Sequence, residues 1–409
     1  MSSIFISHLT GIINGTFLLP GSKSITNRLL ILKAIYPQRI TIINPSEADD
    51  SVIMTNALMV RQGTVDVKNA GTCLRFLTAY YASVPSDILL HGSARLHERP
   101  IGDLVEALRT LGADIDYIDK EGYAPLRIKG KTLTGNSVSI DGTLSSQHIS
   151  ALMLIAPSLP DGLTIKLKGE ATSATYIQMT ERLLFDLGIY STISDHLIDI
   201  PPQLPRISEY LVESDWSAAS YWYTIAALSK SCSIYLPALY NSYLQGDIVI
   251  SNYMQRFGVN TSFDNGQVHL TKTEIVLSDA QYEMNNEPDL VPAMAVALAG
   301  LGVKVVFDQI AHLRIKESDR ISALETELNN CGFETHSGDD FLEIIPTTIQ
   351  YELVPQIQTH GDHRIAMAFA TLALCFKKIE MHNPEVVEKS YPGFWDELKK
   401  AGFVIEEIA

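Results

Sequence analysis

Six times along this chain a short polar turn feeds directly into a helix rich in alanine and leucine. The starts lie near Ser22, Gly71, Ser145, Ser214, Glu287 and Gly361, with spacings of about 49, 74, 69, 73 and 74 residues. A second series of helix starts, near Asp49, Arg99, Ser173, Leu244, Arg314 and Lys389, interleaves at about 50, 74, 71, 70 and 75. Several of these second helices stop at a glycine, as in Leu111-Gly112-Ala113 and Phe257-Gly258-Val259, the usual helix C-cap signal. Alternating stretches such as 163–167 and 303–307 supply the strands. Two series that keep one period mean one helix–strand–helix–strand unit used six times. The first copy is about 20 residues short between Asp50 and Asn69, so it is expected to lack a strand pair.

A chain of 409 residues exceeds one ordinary core, and three units fit in each of two domains. Pro201, Pro202 and Pro205 mark a connection near 201–212. The expected domains are therefore 20–210, and 1–19 plus 211–409. The first strand, residues 3–18, is expected to pair with the later half, so that the chain crosses between domains twice.

The first helices are apolar almost all round, as in Ser150-Ala151-Leu152-Met153-Leu154-Ile155-Ala156, so they are buried. Their polar starts must then open onto a cleft, and helix N-termini gathered there attract anions. Net charge is −16, which argues against a nucleic-acid partner but leaves room for a small anionic ligand. The four cysteines show no metal-ligand spacing, as expected of reduced thiols. No basic segment precedes an apolar stretch at the N-terminus, and the longest apolar run, 290–303, is broken by Pro292. No signal peptide and no membrane span are expected, and the chain reads as cytoplasmic.

The chemically capable residues fall at the helix starts. In Leu19-Pro20-Gly21-Ser22-Lys23-Ser24-Ile25-Thr26-Asn27-Arg28 a turn is followed by hydroxyls, an amide and two cations. Taken alone this is either an anion site or an ordinary capped helix; its repetition favours the anion. The other starts carry Gly71, Thr72 and Arg75; Ser145, Ser146 and Gln147; Asp215; Asp289; and Asp362, His363 and Arg364. The second helices begin with Arg99; Ser173 and Tyr176; Asp247; Lys316, Glu317 and Arg320; and Lys389. So many cations imply a ligand with several negative charges. Arg75 reads either as an internal ion pair or as a ligand contact, and Asp215 and Asp247 as caps or site-lining charges rather than acid–base groups. Cys73 reads as packing, and His360 with His363 as structural, for want of a third metal ligand. The Gly21-Ser22-Lys23-Ser24 string lacks the glycine spacing of a nucleotide P-loop.

The strings LPGSKSITNR (19–28), NAGTCLRF (69–76), ERPIGDL (98–104), DGTLSSQ (141–147), SDWSAASYW (214–222), LQGDI (244–248), RIKESDR (314–320), GDHRIAMA (361–368) and KSYPGFW (389–395) resemble the 5-enolpyruvylshikimate-3-phosphate synthase family, in order and over nearly the whole chain. The resemblance implies an α/β, two-domain enolpyruvyl-transferase fold of six βαβαββ repeats, three per domain, with the active site in the interdomain cleft. It implies enolpyruvyl transfer from phosphoenolpyruvate to the 5-hydroxyl of shikimate 3-phosphate, in the shikimate pathway to chorismate and the aromatic amino acids. No metal or cofactor is implied, and a monomer is expected.

By the same resemblance, shikimate 3-phosphate falls to Lys23, Ser24, Arg28, Ser145, Ser146, Gln147, Ser173, Tyr176, Asp289, His312 and Lys316. Arg28 takes the carboxylate and the serines the phosphate. Phosphoenolpyruvate falls to Lys23, Gly71, Arg99, Gln147, Arg320, Arg364 and Lys389. Asp289 is the expected base on the hydroxyl, and Glu317 with Lys23 handles the proton at C3. Three positions depart from the family pattern: His312 for Asn, Phe76 for Pro after Arg75, and Ala174-Thr175 for Lys-Pro. The nearest rival is UDP-N-acetylglucosamine enolpyruvyl transferase. It would open with Lys-Asn rather than Lys23-Ser24 and would lack the Ser145-Ser146-Gln147 cluster. A non-catalytic anion sensor is opposed by the intact Asp289, Glu317 and Lys23.

Overall fold

The computed structural model describes residues 2–143, 145–169, 173–194, 196–275 and 278–408. They divide into two compact units, Gly21–Val212, and Met1–Pro20 together with Glu213–Ala409.

Within Gly21–Val212 the period becomes a repeated sheet. Gln62–Asp66 runs parallel to Ser86–His91, which pairs antiparallel with Leu126–Gly130, which pairs antiparallel with Asp114–Tyr117. The strand in the second place is followed by a helix before the final hairpin, so the third strand in sequence ends up on the far edge. The same pattern recurs in Ser137–Asp141, Leu163–Lys168, Leu197–Ile200 and Thr192–Ser194. The first copy is different. Among the described residues, Thr41–Ile43 pairs only with the parallel strand Glu209–Leu211. Four residues, 58–61, separate its second helix, Asp49–Ala57, from the next strand, too few for a hairpin. This is the strand pair that the short spacing led us to expect missing.

In the other unit all three sheets are complete. One is Ala280–Glu283, Val305–Asp308, Phe341–Ile345 and Glu334–Ser337. The other two each borrow a strand from the chain's beginning. Ile12–Thr16 is the parallel edge against Ser231–Pro237. Ser3–His8 lies between Ile379–His382 and Phe403–Ile408, antiparallel to both. The single strand expected over 3–18 is thus two strands in two sheets. They are separated at Gly11, whose φ of +70° is the left-handed region that glycine enters without a Cβ penalty.

The helices that begin the repeats form the cores. Lys23–Ile35, Gly71–Ser83 and Ser146–Ile155 pack on one another in the first unit; Trp216–Leu228, Val291–Gly300 and His363–Ala370 do so in the second. Val291–Gly300 is buried from Val291 to Ala299, as its lack of a polar face requires. Three second helices start later than expected. Short 3-10 turns over Gly246–Val249, Ala311–Ile315 and Pro384–Lys389 precede Ile250–Gln255, Arg320–Asn330 and Phe394–Lys400. Among the described residues no helix is long and apolar enough to cross a membrane.

Ile6, in the middle of the borrowed strand, is fully buried. Ile6→Ala should cost about 2–5 kcal/mol through lost burial and a cavity. The three tryptophans, Trp216, Trp222 and Trp395, all lie in this unit, so the denaturation midpoint followed by tryptophan fluorescence should fall. An unmoved midpoint would show that the borrowed strand does not hold the unit together.

Candidate active site

In Gly21–Val212 the helix starts meet in pairs. Lys23, the first residue of its helix, lies 3.1 Å from Asp50 at the start of Asp49–Ala57, both largely buried. The Cys73 thiol donates to the Asp50 carbonyl at 3.1 Å. A Cβ on Gly71 would fall 2.6 Å from Arg99 Nη1, so only glycine lets that guanidinium lie against the start of Gly71–Ser83. Arg75 donates to the carbonyls of Gly71 (3.3 Å) and Pro100 (2.7 Å). Gln147, in the first turn of Ser146–Ile155, donates to Thr72 Oγ1 at 3.1 Å and links two starts. Ser145 is the residue just before that helix. Ser173 precedes Ala174–Asp186 in a left-handed conformation, φ 53°, and its side chain makes no cap hydrogen bond. A non-glycine residue held there stores on the order of 1–3 kcal/mol.

Arg28 is the most deeply held cation of this unit. Nε donates to Thr180 Oγ1 (2.8 Å), Nη1 to the Ser24 carbonyl (3.0 Å), and Nη2 to Ser150 Oγ and the Tyr176 carbonyl (3.1 Å each). All four acceptors are neutral, and among the described residues no carboxylate pairs with it. Burial lowers its pKa to about 10, against some support from Tyr176.

In the other unit the pattern is reversed, with one cation shared by three acids. Arg320, at the start of its helix, reaches Asp362 Oδ2 with Nε (2.8 Å), Asp289 Oδ1 with Nη1 (3.0 Å) and Glu317 Oε2 with Nη2 (2.8 Å). Burial opposes its charge, but the carboxylates outweigh burial and raise its pKa. Asp362 also caps His363–Ala370, accepting from the Arg364 N–H at 2.9 Å, and accepts from Ser318 Oγ at 3.1 Å. The second oxygen of Asp289 pairs with Arg364 at 2.8 Å. Lys389 Nζ lies 4.0 Å from Glu317 Oε1. Asp289, Glu317, Arg320, Arg364 and Lys389 thus form one connected group.

Around that group sit three further titratable side chains. His312 has its pKa lowered to about 3, by burial first and then by Lys316 beside it. It is therefore neutral, and its buried Nε2 has no partner among the described residues. Asp247, which accepts from Ser217 Oγ, is pushed up to about 7 by burial and then by the Asp289 charge. Asp215 is an N-cap, accepting from the Ala218 N–H at 3.0 Å.

Residues 58–398 match the sequence family described as EPSP synthase (3-phosphoshikimate 1-carboxyvinyltransferase). The chain belongs to the EPSP synthase family. It is 42% identical over 396 residues to a 3-phosphoshikimate 1-carboxyvinyltransferase of Bacteroides fragilis, covering 96% of this chain and 97% of that one. It is 32% identical over 420 residues to the protein of that name from Erwinia tasmaniensis, covering 95% and 96%. Among solved structures, EPSP synthase from Acinetobacter baumannii superposes with a TM-score of 0.77 at 21% identity, over the whole of both chains. The enolpyruvyl transferase NikO from Streptomyces tendae gives 0.77 at 13% identity, over 100% of this chain and 99% of that one. These two likenesses concern the fold.

One residue and one pairing of this EPSP synthase family member escaped the sequence reading. Asp50 looks like an acid placed to complement a helix dipole; nothing in its spacing ties it to Lys23. The Asp362–Arg320 pair joins two repeats and leaves no local signal, although both residues stood among the helix starts.

His148, next to Gln147, is fully buried beside Arg75, and burial lowers its pKa to about 3. The unfolded chain takes up a proton on this residue near pH 6.5, and the folded chain does not until about pH 3. Stability contributed here is complete above 6.5 and declines as pH falls toward 3, by up to about 1.4 kcal/mol per pH unit. His148→Asn should flatten the loss of stability between about pH 6 and pH 4, read by urea denaturation followed by circular dichroism. An unchanged slope would mean that the imidazole protonates in the folded state.

Proposed function

We propose that this chain carries out its family's reaction, in which the enolpyruvyl group of phosphoenolpyruvate is transferred to the 5-hydroxyl of shikimate 3-phosphate. The products are 5-enolpyruvylshikimate 3-phosphate and inorganic phosphate. Ser145, Ser146 and Ser173 take the shikimate phosphate, with Lys23 beside it, and Gln147 lines the ring. Ser24 and Arg28 hold the ring substituents, Arg28 taking the carboxylate through its remaining Nη1 N–H, and Tyr176 lines the ring. His312, neutral, offers one donor and one acceptor to ring hydroxyls, and Lys316 stands next to it.

Lys23, Gly71, Arg99, Gln147, Arg320, Arg364 and Lys389 take phosphoenolpyruvate, whose planar acid groups suit bidentate guanidinium pairing. The observation that most supports the reading is the group around Asp289. Its two carboxylate oxygens each hold an arginine, Arg320 and Arg364. An incoming carboxylate or phosphate competes for those same guanidinium groups and loosens Asp289, which then accepts the proton of the 5-hydroxyl. The substrate oxygen bonds to C2, the C2–C3 π pair takes a proton at C3 from Glu317 or Lys23, and a tetrahedral adduct results. Breaking the C2–O bond to phosphate and returning the C3 proton gives the enol ether. The cations are in position before charge moves onto phosphate, so preorganised electrostatics and orientation supply most of the acceleration.

Phosphate release from phosphoenolpyruvate should occur with shikimate 3-phosphate and not with UDP-N-acetylglucosamine; no release with the first would overturn the proposal. Asp289→Ala should lower kcat by about 100-fold or more, the usual range for losing a general base. Calorimetric binding of shikimate 3-phosphate should stay within a few-fold. Lost binding at unchanged kcat would make Asp289 a ligand contact instead.

A further inference from the structure

Phe76 occupies the second turn of Gly71–Ser83, is 1% exposed, and plays no part in the scheme above. Its ring centre lies 5.3 Å from the Arg28 guanidinium carbon, and the Tyr176 ring centre lies 5.9 Å from the same atom. Arg28 is thus bounded by two aromatic rings and four neutral acceptors.

A buried guanidinium normally relies on an acid to offset its desolvation, as Arg320 does three times over. Arg28 has no such acid among the described residues. The face of an aromatic ring carries partial negative charge and attracts a cation most strongly when water is excluded. A proline at position 76, which the family resemblance leads one to expect, has no such face.

We propose that Phe76 is a positioning residue. Its ring steadies the Arg28 guanidinium, so that the one N–H not spent on the protein is presented, beside Ser24, to the carboxylate of the acceptor substrate. The proposal rests on the reading of Arg28 as the carboxylate site. Phe76 itself touches no reacting atom. Its effect is confined to ligands that carry the carboxylate, and phosphoenolpyruvate is handled by other residues.

The test is calorimetric binding of two ligands: shikimate 3-phosphate, and the analogue with its carboxylate reduced to a hydroxymethyl group. In the unaltered protein the analogue should bind much more weakly. Phe76→Leu, with Phe76→Met as a second ring-less variant closer in volume, should weaken shikimate 3-phosphate by about 10- to 30-fold, the range for a desolvated cation–π contact. Binding of the analogue and the KM for phosphoenolpyruvate should be unchanged. Phe76→Tyr, which keeps the ring, should restore the discrimination between ligands. Equal weakening of both ligands in the ring-less variants would overturn the proposal and leave Phe76 as packing. Equal binding of both ligands by the unaltered protein would instead overturn the carboxylate reading of Arg28, a distinct failure.

Discussion

The whole structure depends on one constraint: the helices that open the repeats are apolar along most of their length and bury it. A helix such as Val291–Gly300, buried along almost its entire length, presents nothing to solvent except its two ends. Its sides are spent on core packing, where each buried Leu, Ile or Val contributes about 1.5–3 kcal/mol. Chemistry then gathers at and near the start, where unsatisfied backbone N–H groups already favour an anion. That is where Lys23, Gly71, Gln147, Asp289 and Arg364 are found. Fold and site are in this sense one design: the same burial that stabilises each unit pushes its reactive side chains to a single end of each helix.

Two arginines show how differently a buried cation can be held. Arg320 is neutralised three times over, by Asp289, Glu317 and Asp362, and two of those acids are the ones to which the proposed mechanism gives the proton transfers. An arrangement of this kind is strongly paired, and any anion drawn to Arg320 competes with the protein's own carboxylates. Arg28 has four neutral acceptors and two aromatic rings and no acid among the described residues. Its missing counter-charge is the kind of deficit that an anionic ligand makes good, and ligand binding then adds to stability by mass action. The overall charge of −16 therefore says little about either site, because both are set by buried neighbours that solvent does not screen.

The periodicity made much of the architecture legible. Six helix starts at a common spacing gave the repeats, and the short interval between Lys23 and Gly71 marked the copy without its hairpin. Helix starts also carried most of the candidate site, since a cap, a cation and a small residue are local signals. Long-range pairings were not legible. Gly11 looked like an ordinary residue in a strand until its positive φ divided that strand between two sheets. Lys23–Asp50 and Arg320–Asp362 join different helices and leave no spacing to read. Phe76 was noticed as a departure at a helix start, but its meaning lies in Arg28, 48 positions earlier, and in Tyr176, 100 positions later. Only the packing of three helices brings those residues together.

The central claim is that a buried, uncompensated guanidinium is kept for a substrate's carboxylate. Replacing it tests that claim most directly. In Arg28→Met the buried charge is lost together with its hydrogen bonds to Thr180, Ser24, Ser150 and Tyr176, and buried acceptors left unpaired cost about 1–3 kcal/mol each, so the fold loses part of its stability. Lost charged hydrogen bonds to ligand cost about 1.5–3 kcal/mol, or about 10- to 100-fold in affinity. Calorimetry with shikimate 3-phosphate should therefore show binding weakened by that factor in a variant that still unfolds cooperatively. Unchanged binding in a well-folded Arg28→Met protein would contradict the account.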